Sequence, residues 1–79
     1  MNSKDKIRVD LQFDRFYQRH FDAPPACRNI DQVRFYLGEL VRKIEEYKES
    51  YEYVPVKALA LLAKYKQLYN RMVHSDKVK

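Results

Sequence analysis

A chain of 79 residues that is 46% hydrophobic and 14% aromatic, with a single glycine, is too apolar for intrinsic disorder and too glycine-poor for a turn-rich β protein. Its length makes one domain with a small core, a size at which a partner or a second copy often supplies part of the stability. The net charge of +5 is unevenly placed: ten bases and ten acids cancel over residues 1–52, whereas residues 53–79 hold six bases and one acid.

The first helix is predicted at about residues 4–21, where Val9, Phe13, Phe16, Tyr17, His20 and Phe21 recur at three- and four-residue steps as an aromatic stripe. "DAPPAC" ends it, because proline lacks the amide donor and restricts the residue before it. Asn29 is placed to cap a second helix over about 30–52, with Gln32 three residues on as in a capping box. Its seam, Ile30, Val33, Leu37, Leu40, Ile44, Tyr47 and Tyr51, keeps alternating steps of three and four. Pro55 breaks the pattern and suits the first turn of a third helix at about 55–73, followed by a tail at 74–79. The seam of that helix is Val54, Ala58, Leu61, Tyr65, Leu68 and Met72, widened by Leu62 and Tyr69.

Two heptad-patterned helices joined by a short turn fold back on each other. The expected fold is therefore all-α, a single domain of three helices in which the first caps a long antiparallel hairpin. Phe35 beside Gly38, off the main seam, is the expected docking place for that first helix.

Chemistry is sparse. His20 reads as a packed, hydrogen-bonded histidine, and Asp10 and Asp14, four apart, as a solvated pair. Cys27, the one cysteine, has no disulfide partner and no spaced zinc co-ligands. It is a small buried residue or, if exposed beside Arg28, a reactive thiol. No phosphate loop, nucleophile–base set or metal cluster is recognisable, so no enzyme activity and no cofactor are expected. The charged opening "MNSKDKIRVD" has no leader-like apolar core, and no run nears the roughly 20 residues that cross a bilayer. A cytoplasmic protein with no membrane role is expected.

The most specific signal is electrostatic. Lys57, Lys64 and Arg71 are spaced by sevens along one edge of the third helix, Lys66 lies on its outer face, and Lys77 and Lys79 extend the charge. Glu39 and Glu46, also seven apart on the second helix, are the acids that would neutralise this edge across the hairpin. If they do not, the edge suits an acidic protein surface or nucleic-acid phosphates. Tyr65, on the seam, reads as core more than as a base-stacking residue.

Some segments resemble the theta subunit of bacterial DNA polymerase III and its plasmid- and phage-borne relatives. "DKIRVDL" is similar to that family's opening, and Tyr17, Phe21, Asp22 and Pro24 resemble the run that follows it. "VRFYLGELVR" resembles a third segment, matching at Arg34, Tyr36, Leu37 and Glu39. The spacer after Pro24 is shorter than the family's, and residues 45–79 match nothing in it. "CRNID" also resembles the start of the second helix in small nucleoid modulators of the Hha type, whose Ala-Asp-His-Arg segment is absent. The theta resemblance implies an accessory subunit docked on a proofreading exonuclease.

The expected function is thus that of a small, non-enzymatic interaction protein, phage- or plasmid-borne, in a nucleic-acid-handling complex. Phe13, Phe16, Phe35 and Tyr36 are expected to dock the partner, with Lys57, Lys64, Lys66 and Arg71 as a basic surface. The alternatives are direct nucleic-acid binding by the third helix and a homodimer closed through leftover tyrosines.

Overall fold

The computed structural model describes the backbone of residues 3–78 and the side chains of residues 3–74. Its elements are α1 (Ser3–His20), a single 3₁₀ turn at Pro24–Ala26, α2 (Ile30–Tyr51) and α3 (Val56–Val78), with no strand among the described residues. The chain is all-α, and α2 and α3 pack against each other as the expected hairpin. Arg34 lies over the ring of Tyr69 and Tyr36 lies beside Tyr65, so the two helices run antiparallel.

The helix ends follow local chemistry. Asn29 has extended backbone and its Oδ1 accepts the Gln32 amide at 2.8 Å, as a cap should. The return bond is shifted by one residue, since Gln32 Oε1 accepts from the backbone N–H of Arg28 at 3.0 Å. Pro55, expected inside the first turn of α3, instead precedes it. Its carbonyl accepts from the amides of Ala58 and Leu59 at 3.0 and 3.4 Å, a capping position where no proline donor is needed. The expected tail at 74–79 is corrected: α3 continues to Val78. Residues 56–79 contain no glycine or proline, so nothing local stops the helix. The Lys77 side chain and Lys79 lie outside the described residues.

Where α2 ends, Glu52 adopts φ 52° and ψ 33°, a left-handed C-cap whose N–H bonds the Lys48 carbonyl at 3.0 Å. That conformation costs a side-chain-bearing residue roughly 1 kcal/mol and costs glycine almost nothing. Glu52→Gly should therefore raise the melting temperature by a few degrees, at about 4–8 °C per kcal/mol for a domain of this size. A thermal melt by circular dichroism checks it; a lower melting temperature would show that the Glu52 side chain contributes more than the strain it bears.

The core is built from Val33, Tyr36, Leu40, Ile44 and Tyr47 of α2, and Ala58, Leu61 and Tyr65 of α3, with Val9, Phe13, Phe21 and Cys27 from the first third of the chain. The α3 seam lies as its spacing predicts. On α2 the buried stripe is rotated, so that Tyr36 is more deeply buried than Leu37 and Tyr51 is exposed.

The position of α1 differs from expectation. Phe35 and Gly38 do not receive it: Phe35 is 61% exposed, and no atom lies within 4 Å of where a Gly38 side chain would start. Instead α1 lies along the half of the hairpin nearest its turn. Tyr53 donates to Asp10 at 2.8 Å, the Phe13 ring meets Tyr47 edge-on at 6.4 Å, and Phe21 stacks on Tyr36 at 4.8 Å. This order makes α1 parallel to α3 and antiparallel to α2. Nothing packs near Gly38, whereas beside Tyr47 and Tyr17 Phe13 is buried completely, and the larger burial decides. Bridging aromatic rings also hold the α1 backbone further from the hairpin than α2 and α3 are from each other.

Candidate docking groove

The connection between α1 and α2 is held by a polar cluster centred on Asp22. Its backbone carbonyl accepts from the Tyr65 hydroxyl, which in turn receives the Tyr17 hydroxyl at 3.1 Å. Its carboxylate accepts from Gln32 Nε2 at 2.6 Å and from the Tyr36 hydroxyl at 3.1 Å. One residue thereby ties the end of α1 to both hairpin helices. Burial, reinforced by the Tyr17 hydroxyl, pushes the Tyr65 phenol far above its ordinary value of 10.0. Cys27 is buried, its sulfur 3.6 Å from the Ala23 carbonyl, and burial followed by the nearby Asp22 charge raises its pKa above the ordinary 9.0. A thiol held protonated and covered is structural, which decides between the two readings of Cys27.

Pinned in this way, the proline turn forms one wall of a groove against α3. Tyr17, Ala23, Pro24 and Pro25 line one side, and Leu61, Lys64, Gln67, Leu68 and Arg71 the other, around an open volume of about 570 Å³. On α3, Lys57, Leu61, Lys64, Leu68 and Arg71 follow steps of four, three, four and three, so bases and leucines alternate along a single stripe.

The bases of that stripe have different neighbours. Lys57 is paired with Asp14 of α1, and its ammonium lies 5.8 Å from the Tyr17 ring centroid. Glu39 and Glu46 do not reach α3 at all. Glu39 pairs with Arg42 at 3.1 Å and Glu46 with Lys43 at 3.6 Å, both within α2. Among the described residues, no acid lies within ion-pairing distance of Lys64, Lys66 or Arg71. The acids that sequence spacing offers to α3 are taken by bases one turn away on their own helix, where α-helical geometry already brings i and i+3 together.

The four aromatic docking residues separate. Phe13 is fully buried and Tyr36 is 8% exposed, so neither presents a surface, which corrects the expectation for both. They occupy the aromatic stripe and the rotated α2 stripe that make the core. Phe16 is half-buried, with the Lys43 ammonium 4.8 Å above its ring. Phe35 is exposed, at the edge of a shallow depression shared with His20 and Arg28 on the other side of the 22–28 connection. His20, expected to be packed, is exposed, its ring 5.2 Å from Phe16. A histidine in the last turn of α1 has solvent on its outer side once Phe16 and Phe21 take the inward positions.

One surface is not apparent from the core pattern. Ile7, Leu11, Val56 and Leu59 are all about half exposed or more, and Leu11 and Val56 share a shallow depression beside the hairpin turn. The available signal is that Ile7 and Leu11 stand four apart, off the aromatic stripe of α1. The tyrosines of α3 are not free for stacking: Tyr65 is buried, and the half-buried Tyr69 lies 5.9 Å beneath the Arg34 guanidinium. No described helix is long and apolar enough to cross a membrane. No group of three potential metal ligands occurs among the described residues. No protein family, curated protein or solved structure matches the chain.

Proposed function

We propose that the chain is a small, non-enzymatic helical accessory module that binds a protein partner within a nucleic-acid-handling assembly. The observation that carries this reading is the edge of α3, where Lys64 and Arg71 border an apolar groove and no acid among the described residues pairs with them. Uncancelled charge beside apolar surface gives both steering and desolvation energy to a complementary partner. The nucleic-acid setting rests on the theta-like segments at residues 5–11, 17–24 and 33–42. On that resemblance the partner is a proofreading exonuclease subunit, met by Phe35 and the basic edge and not by Phe13 or Tyr36.

Direct nucleic-acid binding uses the same uncancelled bases and is the second reading. It lacks an exposed tyrosine on α3 to stack on bases, so it would depend on phosphate contacts and fall steeply with salt. Affinity capture from a bacterial lysate, with and without nuclease, separates the two. The expected result is a nucleic-acid-handling protein recovered by the natural chain, resistant to nuclease and lost in a Lys64→Glu/Arg71→Glu variant. Recovery abolished by nuclease, or equal recovery by both chains, would refute the protein-partner reading.

A further inference from the structure

Resting on the protein-partner reading, we propose that the groove between the proline turn and α3 receives a short, extended acidic–apolar segment of the partner, two acids flanking apolar side chains. Three features of the groove set this chemistry. Its ends are Lys64 and Arg71, seven residues apart on one helix and therefore about 10 Å along the axis. In an extended chain of the polyproline II type, with three residues per turn and about 3.1 Å per residue, acids three positions apart lie on one face about 9 Å apart, leaving two residues between them. The apolar lining is Leu68 between the two bases, Leu61 one turn before Lys64, and Tyr17 and the prolines opposite, which suits those two intervening residues.

The third feature is the wall. Pro24 and Pro25 have no amide hydrogens, and the Pro24 carbonyl already accepts the Cys27 amide at 3.2 Å. The wall therefore offers apolar surface and little hydrogen bonding to the incoming backbone. Gln67, exposed on the α3 side between the two bases, is the side chain whose amide can both donate to and accept from a peptide unit. The Asp22 cluster keeps the wall in place before any ligand arrives, so little ordering is needed on binding. Lys57 continues the same stripe but is paired with Asp14, which ends the cationic part of the groove at Lys64.

The test uses a fluorescein-labelled peptide carrying Asp-Leu-Phe-Asp, titrated against the full chain by anisotropy and by amide chemical shifts. Controls replace both acids with lysine, or both apolar residues with serine, and a single-stranded oligonucleotide is titrated in parallel. The acidic–apolar peptide is expected to shift amides around Leu61, Gln67 and Leu68. Lys64→Glu or Arg71→Glu should weaken it by about tenfold or more each, since like charges then face each other. Unchanged helical signal and melting temperature would keep folding out of that comparison. Equal binding of the lysine peptide, no shifts at millimolar peptide, or shifts at Leu11 and Val56 instead would overturn the groove assignment. If capture still yields a nuclease-resistant partner in those cases, the protein-partner reading stands without it. Oligonucleotide binding at these residues with none by peptide would overturn both.

Discussion

Phe13→Ala is expected to be the most damaging single substitution in the chain, removing about 3–5 kcal/mol of stability. Phe13 is fully buried and its ring centroid lies 6.3–6.4 Å from those of Phe16, Tyr17 and Tyr47. Alanine would leave a void the size of a benzene ring between α1 and the hairpin. Because α1 is held at side-chain length by aromatic bridges, the backbone has little short-range packing to fall back on. At about 0.05–0.15 kcal/mol per residue, a domain of 79 residues has roughly 4–12 kcal/mol in total. The variant should therefore lie near the edge of folding, visible as a loss of tens of degrees in a thermal melt. Phe35→Ala is the matched control: exposed and off the core, it should change stability by no more than about 0.5 kcal/mol. A mild Phe13→Ala effect would mean that α1 does not dock as described.

The second large effect is expected at Tyr65. Tyr65→Phe keeps the ring among Phe21 and Tyr36 and removes only the hydroxyl. That hydroxyl donates to the Asp22 carbonyl and accepts from Tyr17, so its loss removes two hydrogen bonds from a part-buried site, at a cost of about 1–2 kcal/mol. The same substitution should alter the alkaline limb of stability. The folded-state pKa of Tyr65 is raised, so the unfolded chain loses this proton first. Its contribution is complete below the ordinary phenol value of about 10 and declines as pH rises above it, with a slope of at most about 1.4 kcal/mol per pH unit. Urea unfolding at pH 7 and above pH 10 should show the variant weaker at neutrality and less sensitive to alkali. An unchanged alkaline slope would count against Tyr65 as the buried titrating group. The variant should also loosen the proline turn, and so weaken whatever occupies the groove, without touching Lys64 or Arg71.

Phe13 and Tyr65 illustrate two kinds of legibility. Tyr65 sits on a seam whose steps of four and three are visible in one dimension, and it is core as that spacing requires. Phe13 sits on an equally visible stripe, yet an aromatic stripe is compatible with both a core and a partner surface, and only the trough beside Tyr47 decides. The site divides in the same way. The excess charge of residues 53–79 and the spacing of Lys64 and Arg71 are read directly. That these two bases border a groove depends on the proline turn being brought to α3 by Asp22, through contacts that span 43 residues from Asp22 to Tyr65.

By itself, then, the amino-acid order determined the three helices, the Asn29 cap, the hairpin and the location of the uncancelled charge, because each rests on periodicity or on neighbours within a few residues. Only the tertiary structure decided where α1 lies, that Phe13 and Tyr36 are interior while Phe35 is not, and that Glu39 and Glu46 turn to Arg42 and Lys43. Those outcomes depend on which of several apolar faces and ion partners approach most closely in space. Lys57 shows the difference most simply. It is one of three evenly spaced bases in the sequence, and among the described residues only it has an acid partner, because α1 lays Asp14 beside it.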